Sequence, residues 1–572
     1  MESIDERTTH MLGDDEPGGI NVRFMGRGIW SLACRVTANT MLRTMRGDQF
    51  FPQYGILSGI GLSILACAGL GADPVASQTQ PIAKSALQGK HPVNAEDWSQ
   101  FRGPNGQGVA RAQSFPVELD LQRQLVWKVS VPPGNSSPIV LRDGMLVFTA
   151  NDGGKLQTTC LDPKDGSVRW TRTAPTTRLE PTLSPGRLAA PTPVTDGSRV
   201  YAYFGSFGLI AYDAGGREIW QRPLTVATNR NGTASSPILA SGRLLQLVDC
   251  QVGKSFIEAM DPDTGQTVWH KAHPHADGGW STPILWAALG GQQLVILSSK
   301  RLEAFDPATG SLIWWLGGFP DNAVTVPVIH ERLLIIDTVG LGNSAEFGFI
   351  PRWKDLVQYD TNGDGKIQRS ELPRTVGWEG RTIASAEAPS IFFPTVDEFD
   401  DYDINHDGGI TQEEWNGSLD SYLASQPKSR IIAVGSGATG DATSKVVWEN
   451  RKGASEVPSP VVHEGRAYTV RNGGVLTCLE ASTGRIVYQE RLGANGQYLA
   501  SPVVAVSNGR ADLLLSSEKG VISVVPTGDS FRVVKQVDLG NPISATPVLD
   551  GTRERIYYVR TETTINAFAS RQ

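Results

Sequence analysis

The chain has 572 residues, of which 40% are hydrophobic, and it contains 62 glycines and 35 prolines. This composition is typical of a turn-rich all-β protein and excludes an intrinsically disordered chain. The net charge of −7 and the lack of a Lys/Arg cluster in the body of the chain exclude a nucleic-acid-binding protein.

Residues 1–75 form a leader. Arg43 and Arg46 precede an apolar run of 15 residues, 56–70, and the small residues Gly71 and Ala72 follow it. This order of charged, apolar and small residues is that of a secretory signal. The run is short for a membrane span, which needs about 20 residues. We therefore predict export to the periplasm or the cell exterior. The alternative is a retained N-terminal membrane anchor.

Two short segments lead into the body of the chain. Residues 76–96 show no periodicity and are predicted to be a flexible linker. Residues 97–109, DWSQFRGPNGQGV, are rich in aromatic residues and glycine and predict an opening strand and turn.

A unit of about thirty-three residues, first seen at 138–170, recurs along the rest of the chain. Its apolar runs at 139–141, 145–149, 156–161 and 167–170 are separated by Arg-Asp-Gly, Asn-Asp-Gly-Gly and Pro-Lys-Asp-Gly. These separators are turn sequences, so each unit predicts four short antiparallel strands in one sheet.

Two markers show how often the unit occurs. A proline opens each copy, at Pro138, Pro193, Pro237, Pro283, Pro327, Pro460, Pro502 and Pro547. An outer-strand marker falls at Trp127, Trp170, Trp220, Trp269, Trp314 and Trp448, and is replaced by Tyr488 and Val534. The prolines are 42 to 55 residues apart, with one spacing of 133. A period in the forties with four strands per unit predicts an all-β fold, an eight-bladed β-propeller.

The two markers are out of phase. Trp127 precedes the first opening proline, whereas the last unit ends near Phe568 without a final strand of its own. We therefore predict that residues 125–129 supply the last strand of the eighth blade. Such a closure leaves no open edge in the ring.

The five cysteines do not predict a disulfide framework. Cys34 and Cys67 lie in the leader, and Cys160 and Cys478 occupy the same strand position in blades that are not neighbours. Equivalent positions in such blades cannot approach to the roughly 5.5 Å that a disulfide requires. Cys160, Cys250 and Cys478 are predicted to be small buried hydrophobic residues.

The spacing of 133 residues predicts an insertion of about 87 residues in blade five. It divides the propeller into residues 97–339 and 428–572 and leaves 340–427 as a separate insertion. A connection between strands tolerates such an insertion because the strand pairing on both sides is unchanged.

The insertion contains two twelve-residue segments, DTNGDGKIQRSE at 360–371 and DINHDGGITQEE at 403–414. Both match the EF-hand loop, with oxygen ligands at alternate positions, Gly at position six and Glu at position twelve. Helices are predicted at 347–359, 396–402 and 413–424. Ile367 and Ile410, at position eight of each loop, are expected to pair in a short β-bridge.

These loops predict two bound calcium ions, since a closed cage of oxygen ligands suits calcium better than magnesium. At position seven the ligand is the backbone carbonyl. The predicted ligands of the first ion are Asp360, Asn362, Asp364, Lys366, Gln368 and Glu371, and those of the second are Asp403, Asn405, Asp407, Gly409, Thr411 and Glu414. Weak sites stay filled in calcium-rich surroundings, so a structural or docking role is favoured over signalling.

Three histidines, His270, His273 and His275, lie within six residues of each other on the predicted connection between blades three and four. Three imidazoles can bind a transition metal. Pro274 and the lack of helical or strand spacing argue against a preformed site, so these histidines are interpreted as polar surface.

The turn sequences DPKDGSVRW at 162–170, MDPDTGQTVW at 260–269 and FDPATGSLIW at 305–314 resemble the pyrroloquinoline-quinone (PQQ)-type propeller repeat. The resemblance covers residues 97–570. It implies a fold shared by quinoprotein dehydrogenases and by non-enzymatic propellers such as the outer-membrane assembly lipoprotein. The opening DWSQFRGP and the interrupted blade are similar to exported repeat proteins of planctomycete-type bacteria.

The resemblance does not assign catalytic residues. The dehydrogenase branch carries a vicinal Cys-Cys pair, which this sequence lacks, and that branch's calcium and quinone ligands match no position here. We therefore predict an exported calcium-binding propeller that is a scaffold for a protein partner in the cell envelope. The alternative is a PQQ-dependent oxidoreductase that uses the central channel. No nucleic-acid partner is expected, and membrane contact is expected only through the N-terminal anchor alternative.

Overall fold

The computed structural model describes residues 97–180, 182, 187–226, 229, 231–251, 254–274, 278–320, 323–341, 353–372, 399–425, 427–551 and 556–570. The predicted leader and linker, residues 1–75 and 76–96, lie outside the described residues.

The described strands form nine sheets, of which eight are the blades of a β-propeller and one is a two-stranded sheet in the insertion. Two strands precede the first complete blade, β1 (Val109–Ala112) and β2 (Leu125–Ser130). Blade one contains β3 (Ile139–Val140), β4 (Leu146–Asp152), β5 (Lys155–Leu161) and β6 (Val168–Thr173). Blade two contains β7 (Val194–Thr195), β8 (Arg199–Phe204), β9 (Gly208–Asp213) and β10 (Glu218–Pro223). Blade three contains β11 (Ile238–Ala240), β12 (Arg243–Val248), β13 (Phe256–Met260) and β14 (Thr267–Ala272). Blade four contains β15 (Ile284–Ala288), β16 (Gly291–Ser298), β17 (Arg301–Phe305) and β18 (Leu312–Gly317).

The interrupted blade and the last three follow in chain order. Blade five starts with β19 (Val328–His330) and β20 (Leu333–Leu341). The insertion follows and contains β21 (Ile367–Gln368) and β22 (Gly409–Ile410). Blade five is then completed by β23 (Lys428–Gly435) and β25 (Val446–Asn450). Between these two strands, β24 (Gly440–Asp441) adds a fifth, parallel strand to β18. Blade six contains β26 (Val461–His463), β27 (Arg466–Arg471), β28 (Val475–Glu480) and β29 (Ile486–Arg491). Blade seven contains β30 (Val503–Ser507), β31 (Arg510–Ser516), β32 (Val521–Pro526) and β33 (Lys535–Asp538), and blade eight contains β34 (Val548–Asp550), β35 (Ile556–Arg560) and β36 (Thr564–Ala569).

The ring closes as predicted. β2 pairs antiparallel with β36, from Leu125 opposite Phe568 to Ser130 opposite Thr564, and supplies the outer strand of blade eight. The fully buried Arg560 reinforces this closure, because its guanidinium donates hydrogen bonds to backbone carbonyls of Ser136 and Thr149 in blade one. The eight-bladed fold with four antiparallel strands per blade is confirmed.

The burial of each strand depends on its place in the blade. In blade two, β8 and β9 are buried along nearly their whole length, whereas in β10 no residue is fully buried. The two middle strands lie between neighbouring blades and are covered on both faces, so they are continuous apolar runs. The outer strand has one face open to solvent.

The recurrent tryptophans pack against the next blade. The indole Nε1 of Trp220 donates to the carbonyl of Pro262 at 3.0 Å, and its ring lies against Gly265. Trp127, Trp170, Trp269 and Trp448 make the equivalent hydrogen bond to Pro163, Ala214, Pro307 and Ala481. Trp314 differs because the turn of blade five between β23 and β25 has another sequence. Trp314 donates to the side chain of Gln293 instead.

The residue before each opening proline links the blades near the axis. Seven of these eight residues are Ser or Thr, and Val326 is the exception. The hydroxyl of Thr192 accepts the backbone N–H of Ser137 at 3.0 Å, and that of Ser236 accepts the N–H of Thr192 at 3.0 Å. The same bond recurs at four further junctions between blades.

The opening segment crosses the axis of the propeller. It reaches the innermost strands, or the residue before them, in six blades, at Val140, Thr195, Leu285, Ile329, Pro460 and Val504. Because innermost strands line the axis, a segment that contacts six of them lies across the central channel. Trp98 and Arg102 are buried there. The predicted turn is a short 3-10 helix, Pro104–Gly106, and the strand of this segment, β1, begins only at Val109.

Candidate metal centre

The insertion lies between the second and third strands of blade five. β20 and β23 pair antiparallel from Leu333 opposite Gly435 to Leu341 opposite Lys428, so the chain leaves and re-enters the blade at adjacent points. The described helices of the insertion are α1 (Trp353–Leu356), which continues as a 3-10 turn at Val357–Tyr359, then α2 (Phe399–Tyr402) and α3 (Gln412–Ser425). Residues 347–352 and 396–398 of the predicted helices lie outside the described residues.

The insertion has an apolar core of its own. Trp415, Leu419 and Leu423 follow each other at four-residue intervals on α3, so all three lie on one face of the helix, and all are buried. Leu356 and Phe399 pack in the same cluster, and Val339 of β20 contacts it from the propeller. Thr411 caps α3 in a reciprocal arrangement, because its N–H donates to the Glu414 carboxylate while its hydroxyl accepts the N–H of Glu414.

The two loops pair as predicted. Ile367 of β21 lies opposite Ile410 of β22 in an antiparallel bridge, and both side chains are fully buried. Gly365 and Gly408, at position six of each loop, have φ angles of 83° and 90°. This left-handed backbone conformation favours glycine and makes the sharp turn of the loop.

In the first loop the carboxylates predicted as ligands accept hydrogen bonds from backbone N–H groups. The Asp360 carboxylate accepts the N–H of Gly363 at 2.8 Å and of Gly365 at 3.0 Å. Glu371 reaches back across the loop and accepts the N–H of Thr361 and Gln368, each at 2.9 Å. The hydrogen bond from the backbone N–H of Lys366 lowers the pKa of Asp364, so this carboxylate is charged at neutral pH.

The second loop repeats this arrangement. Asp403 accepts the N–H of Asp407 at 3.1 Å and of Gly408 at 3.0 Å. Glu414 accepts the N–H of Asn405 at 3.1 Å and of Thr411 at 2.9 Å. Each loop thus orients three carboxylates and one amide toward its centre.

The donor set fits calcium. All the side-chain ligands are hard oxygen donors, and their positions along each loop are those of a seven-coordinate oxygen cage. Within the described ranges, no three Asp, Glu or His side chains are already gathered into a closed metal shell.

The histidine cluster differs from its interpretation as exposed loop residues. His270 is exposed, but it lies on β14, and His275 is outside the described residues. His273 is buried, with its Nδ1 at 3.1 Å from Asp249 and its Nε2 at 2.5 Å from Glu303. The interpretation as polar surface is therefore wrong for His273, which connects blades three and four in the interior.

The three cysteines of the propeller are as predicted. Cys160, Cys250 and Cys478 are buried and form no disulfide. Burial raises the pKa of the Cys160 and Cys478 thiols to about 12, so neither is a reactive thiolate at neutral pH.

Among the described residues, no helix combines the length and the apolar character that crossing a membrane requires.

The sequence matches two family models. The model described as outer membrane protein assembly factor BamB matches residues 117–249, 160–317, 253–340 and 427–529. The EF-hand model matches residues 354–376 and 395–417, which include both loops. No curated protein matches the sequence at a significant level.

Several solved structures are similar to this chain. BamB from Moraxella catarrhalis is 11% identical over 78% of this chain and 99% of that chain, with a TM-score of 0.43. The quinohemoprotein alcohol dehydrogenase from Comamonas testosteroni is 14% identical over 84% of this chain and 81% of that chain, with a TM-score of 0.39. The Dos1 propeller is 8% identical over 78% of this chain and 94% of that chain, with a TM-score of 0.46.

The BamB-type ranges cover more than half of the chain and coincide with the blades. The chain therefore belongs to the family described as outer membrane protein assembly factor BamB, and it carries an EF-hand calcium-binding motif in its fifth blade.

Proposed function

We propose that this protein is an exported propeller of the cell envelope that binds two calcium ions in its insertion and is a scaffold for a protein partner. The observation that carries this proposal is the attachment of the insertion. It joins the ring through one adjacent strand pair, β20 and β23, and has its own apolar core. It is thus an accessory unit attached to a closed ring, with its two loops supported by that core.

The twelve residues predicted as calcium ligands are proposed to hold the ions. Three carboxylates per loop more than offset the charge of a divalent cation, and the carbonyls of Lys366 and Gly409 supply the ligand at position seven. In this role calcium stabilises the loop pair, because a ligand that binds only the folded form raises stability.

The axial segment also supports a scaffold. Residues 98–108 contact the inner edges of six blades and so lie across the channel that a quinone-dependent enzyme of the predicted alternative would use. Trp98 and Arg102 are buried in this position.

One buried carboxyl bears on the oxidoreductase alternative. Burial raises the pKa of Glu180, in the connection between blades one and two, to about 7. A carboxyl with such a shifted pKa is a common feature of catalytic sites. Incubation with PQQ and calcium, followed by absorbance spectroscopy and dye-linked alcohol oxidation, tests this alternative. Turnover would favour the enzyme.

The calcium proposal is tested by isothermal titration of the full chain with calcium chloride. We expect two ions per chain with dissociation constants on the order of 10⁻⁴ to 10⁻³ M, as for other extracellular sites. The double variant Glu371→Gln and Glu414→Gln removes the bidentate ligand from both loops and should bind none. A wild-type protein that takes up no calcium would refute the proposal.

The scaffold proposal is tested by affinity capture from an envelope extract, with the wild type and the same double variant as baits. We expect a protein that is retained by the wild type in calcium and is lost with chelator or with the double variant. Equal capture in all three conditions would show that partner binding does not depend on calcium.

A further inference from the structure

One lysine reaches from the first calcium loop into the second. Lys366 is the seventh residue of loop one, and its Nζ donates to Oδ2 of Asp407 at 2.7 Å. Its aliphatic stem passes over Gly409, where an added β-carbon would come within 2.9 Å of the Lys366 Cβ and Cδ. Gly409 is the residue at position seven of loop two. The absence of a side chain there lets the lysine lie across the second loop.

Asp407 is the ligand at position five of loop two, so the lysine contacts a carboxylate that calcium has to bind. One oxygen of Asp407 accepts the backbone N–H of Gly409 at 3.2 Å, and the other accepts the ammonium. An ammonium has only donors and a positive charge. It therefore cannot become a calcium ligand, and it repels the entering ion.

The equivalent aspartate of loop one has a different neighbour. Oδ2 of Asp364 accepts the side-chain amide of Gln368 at 2.6 Å. That amide is neutral, and by rotating it can present its oxygen to the ion instead. Both loops hold three carboxylates and one Asn at the same positions. They differ in that the position-five carboxylate is paired with an ammonium only in loop two.

We propose that Lys366 is an internal counter-ion of Asp407 that competes with calcium, so that loop one fills before loop two. This inference rests on the proposed function, because it concerns the order and strength of calcium binding in the same two loops. The partial exposure of both side chains, 40% for Lys366 and 39% for Asp407, keeps the competition modest.

The test compares the two loops one at a time by isothermal titration with calcium chloride. Glu371→Gln leaves only loop two intact, and Glu414→Gln leaves only loop one. We expect loop two to bind more weakly than loop one. Lys366→Met, which keeps the stem and removes the charge, should tighten calcium binding by loop two roughly two- to fivefold. The gain should shrink as potassium chloride is raised, because salt screens the ammonium.

A matched control is Lys354→Met in α1. It changes the net charge by the same amount, and Lys354 is exposed and lies outside both loops. Lys366→Arg keeps the charge and should leave loop two weak. If Lys366→Met and Lys354→Met change loop two equally, or if the two wild-type loops bind with equal affinity, Lys366 is not the competitor. A wild type that binds no calcium in either loop would instead refute the proposed function.

Discussion

His273 is held between two buried carboxylates. Burial opposes its charge, but the hydrogen bonds to Asp249 and Glu303 prevail and raise the pKa of His273 from 6.5 to about 10. Asp249 is further fixed by the hydroxyl of Ser298 at 2.7 Å. The charged imidazole thus neutralises acidic groups that come from blades three and four.

We predict that His273→Gln destabilises the protein by about 3–5 kcal/mol, since it removes the positive charge shared by two buried carboxylates and leaves Glu303 with Arg301 at 3.6 Å. The folded-state pKa of His273 lies above its unfolded value, so the stabilisation is fully present below pH 6.5 and is lost as the pH rises through about 10. Thermal melting at several pH values checks both statements. The difference between wild type and variant should be largest at or below pH 6.5 and should shrink toward pH 10.

His270 provides the control for this prediction. It lies three residues earlier on β14, is exposed and contacts the ring of Phe256. His270→Gln should shift stability by no more than about 0.5 kcal/mol, as is usual at the surface. Equal effects of the two substitutions would contradict a structural role for His273.

At the scale of the element, the turns that contact the tryptophans require glycine for two reasons. The backbone has a positive φ, and the indole ring leaves no room for a β-carbon. Gly310 has a φ of 68°, and a β-carbon there would come within 2.7 Å of the Trp269 ring. Gly242, in the turn between β11 and β12, has a φ of 69° and open space where a β-carbon would lie. The two glycines thus share the backbone conformation and differ in the contact.

We predict that Gly242→Ala lowers stability by about 1–2 kcal/mol through backbone strain alone. Gly310→Ala should add about 1–3 kcal/mol, because the methyl group also forces the indole away. Tm values of the two variants measure the difference. Equal losses would show that the contact between tryptophan and turn contributes nothing to the packing of adjacent blades.

The features that the sequence predicted correctly are those carried by neighbouring residues. Turn dipeptides and the proline and tryptophan markers lie within one unit of about forty residues, and the calcium loops lie within twelve residues each. His273 could not be placed in the same way, because its partners are 24 and 30 residues away, one on the connection after β12 and one on β17. β24 was not predicted either, since two residues, Gly440 and Asp441, carry no pattern of their own. The hydroxyl before seven of the eight opening prolines was visible in the sequence, but only the structure shows that such a hydroxyl bonds to the next blade.

At the scale of the whole molecule, most neighbouring blades are tied to each other by similar local bonds. The hydroxyls before the opening prolines act near the axis, the tryptophans act near the rim, and β2 completes the circle. The axial segment adds contacts to six blades at once. Such a ring depends on its own repeated junctions and not on the insertion, which touches it at β20 and β23.

This independence predicts that the ring folds without the insertion. Leu341 and Lys428 lie opposite each other at the end of the β20 and β23 pairing, so a turn of two to four residues can replace residues 342–427. Val339 contacts the core of the insertion and would become exposed, so the deletion should carry Val339→Thr. We expect a soluble protein with the circular dichroism of a β-protein, cooperative melting and no calcium binding. The full chain with Glu371→Gln and Glu414→Gln is the control, because it lacks calcium binding but keeps the insertion. A deletion protein that fails to melt cooperatively, beside a control that does, would show that the insertion is part of the ring.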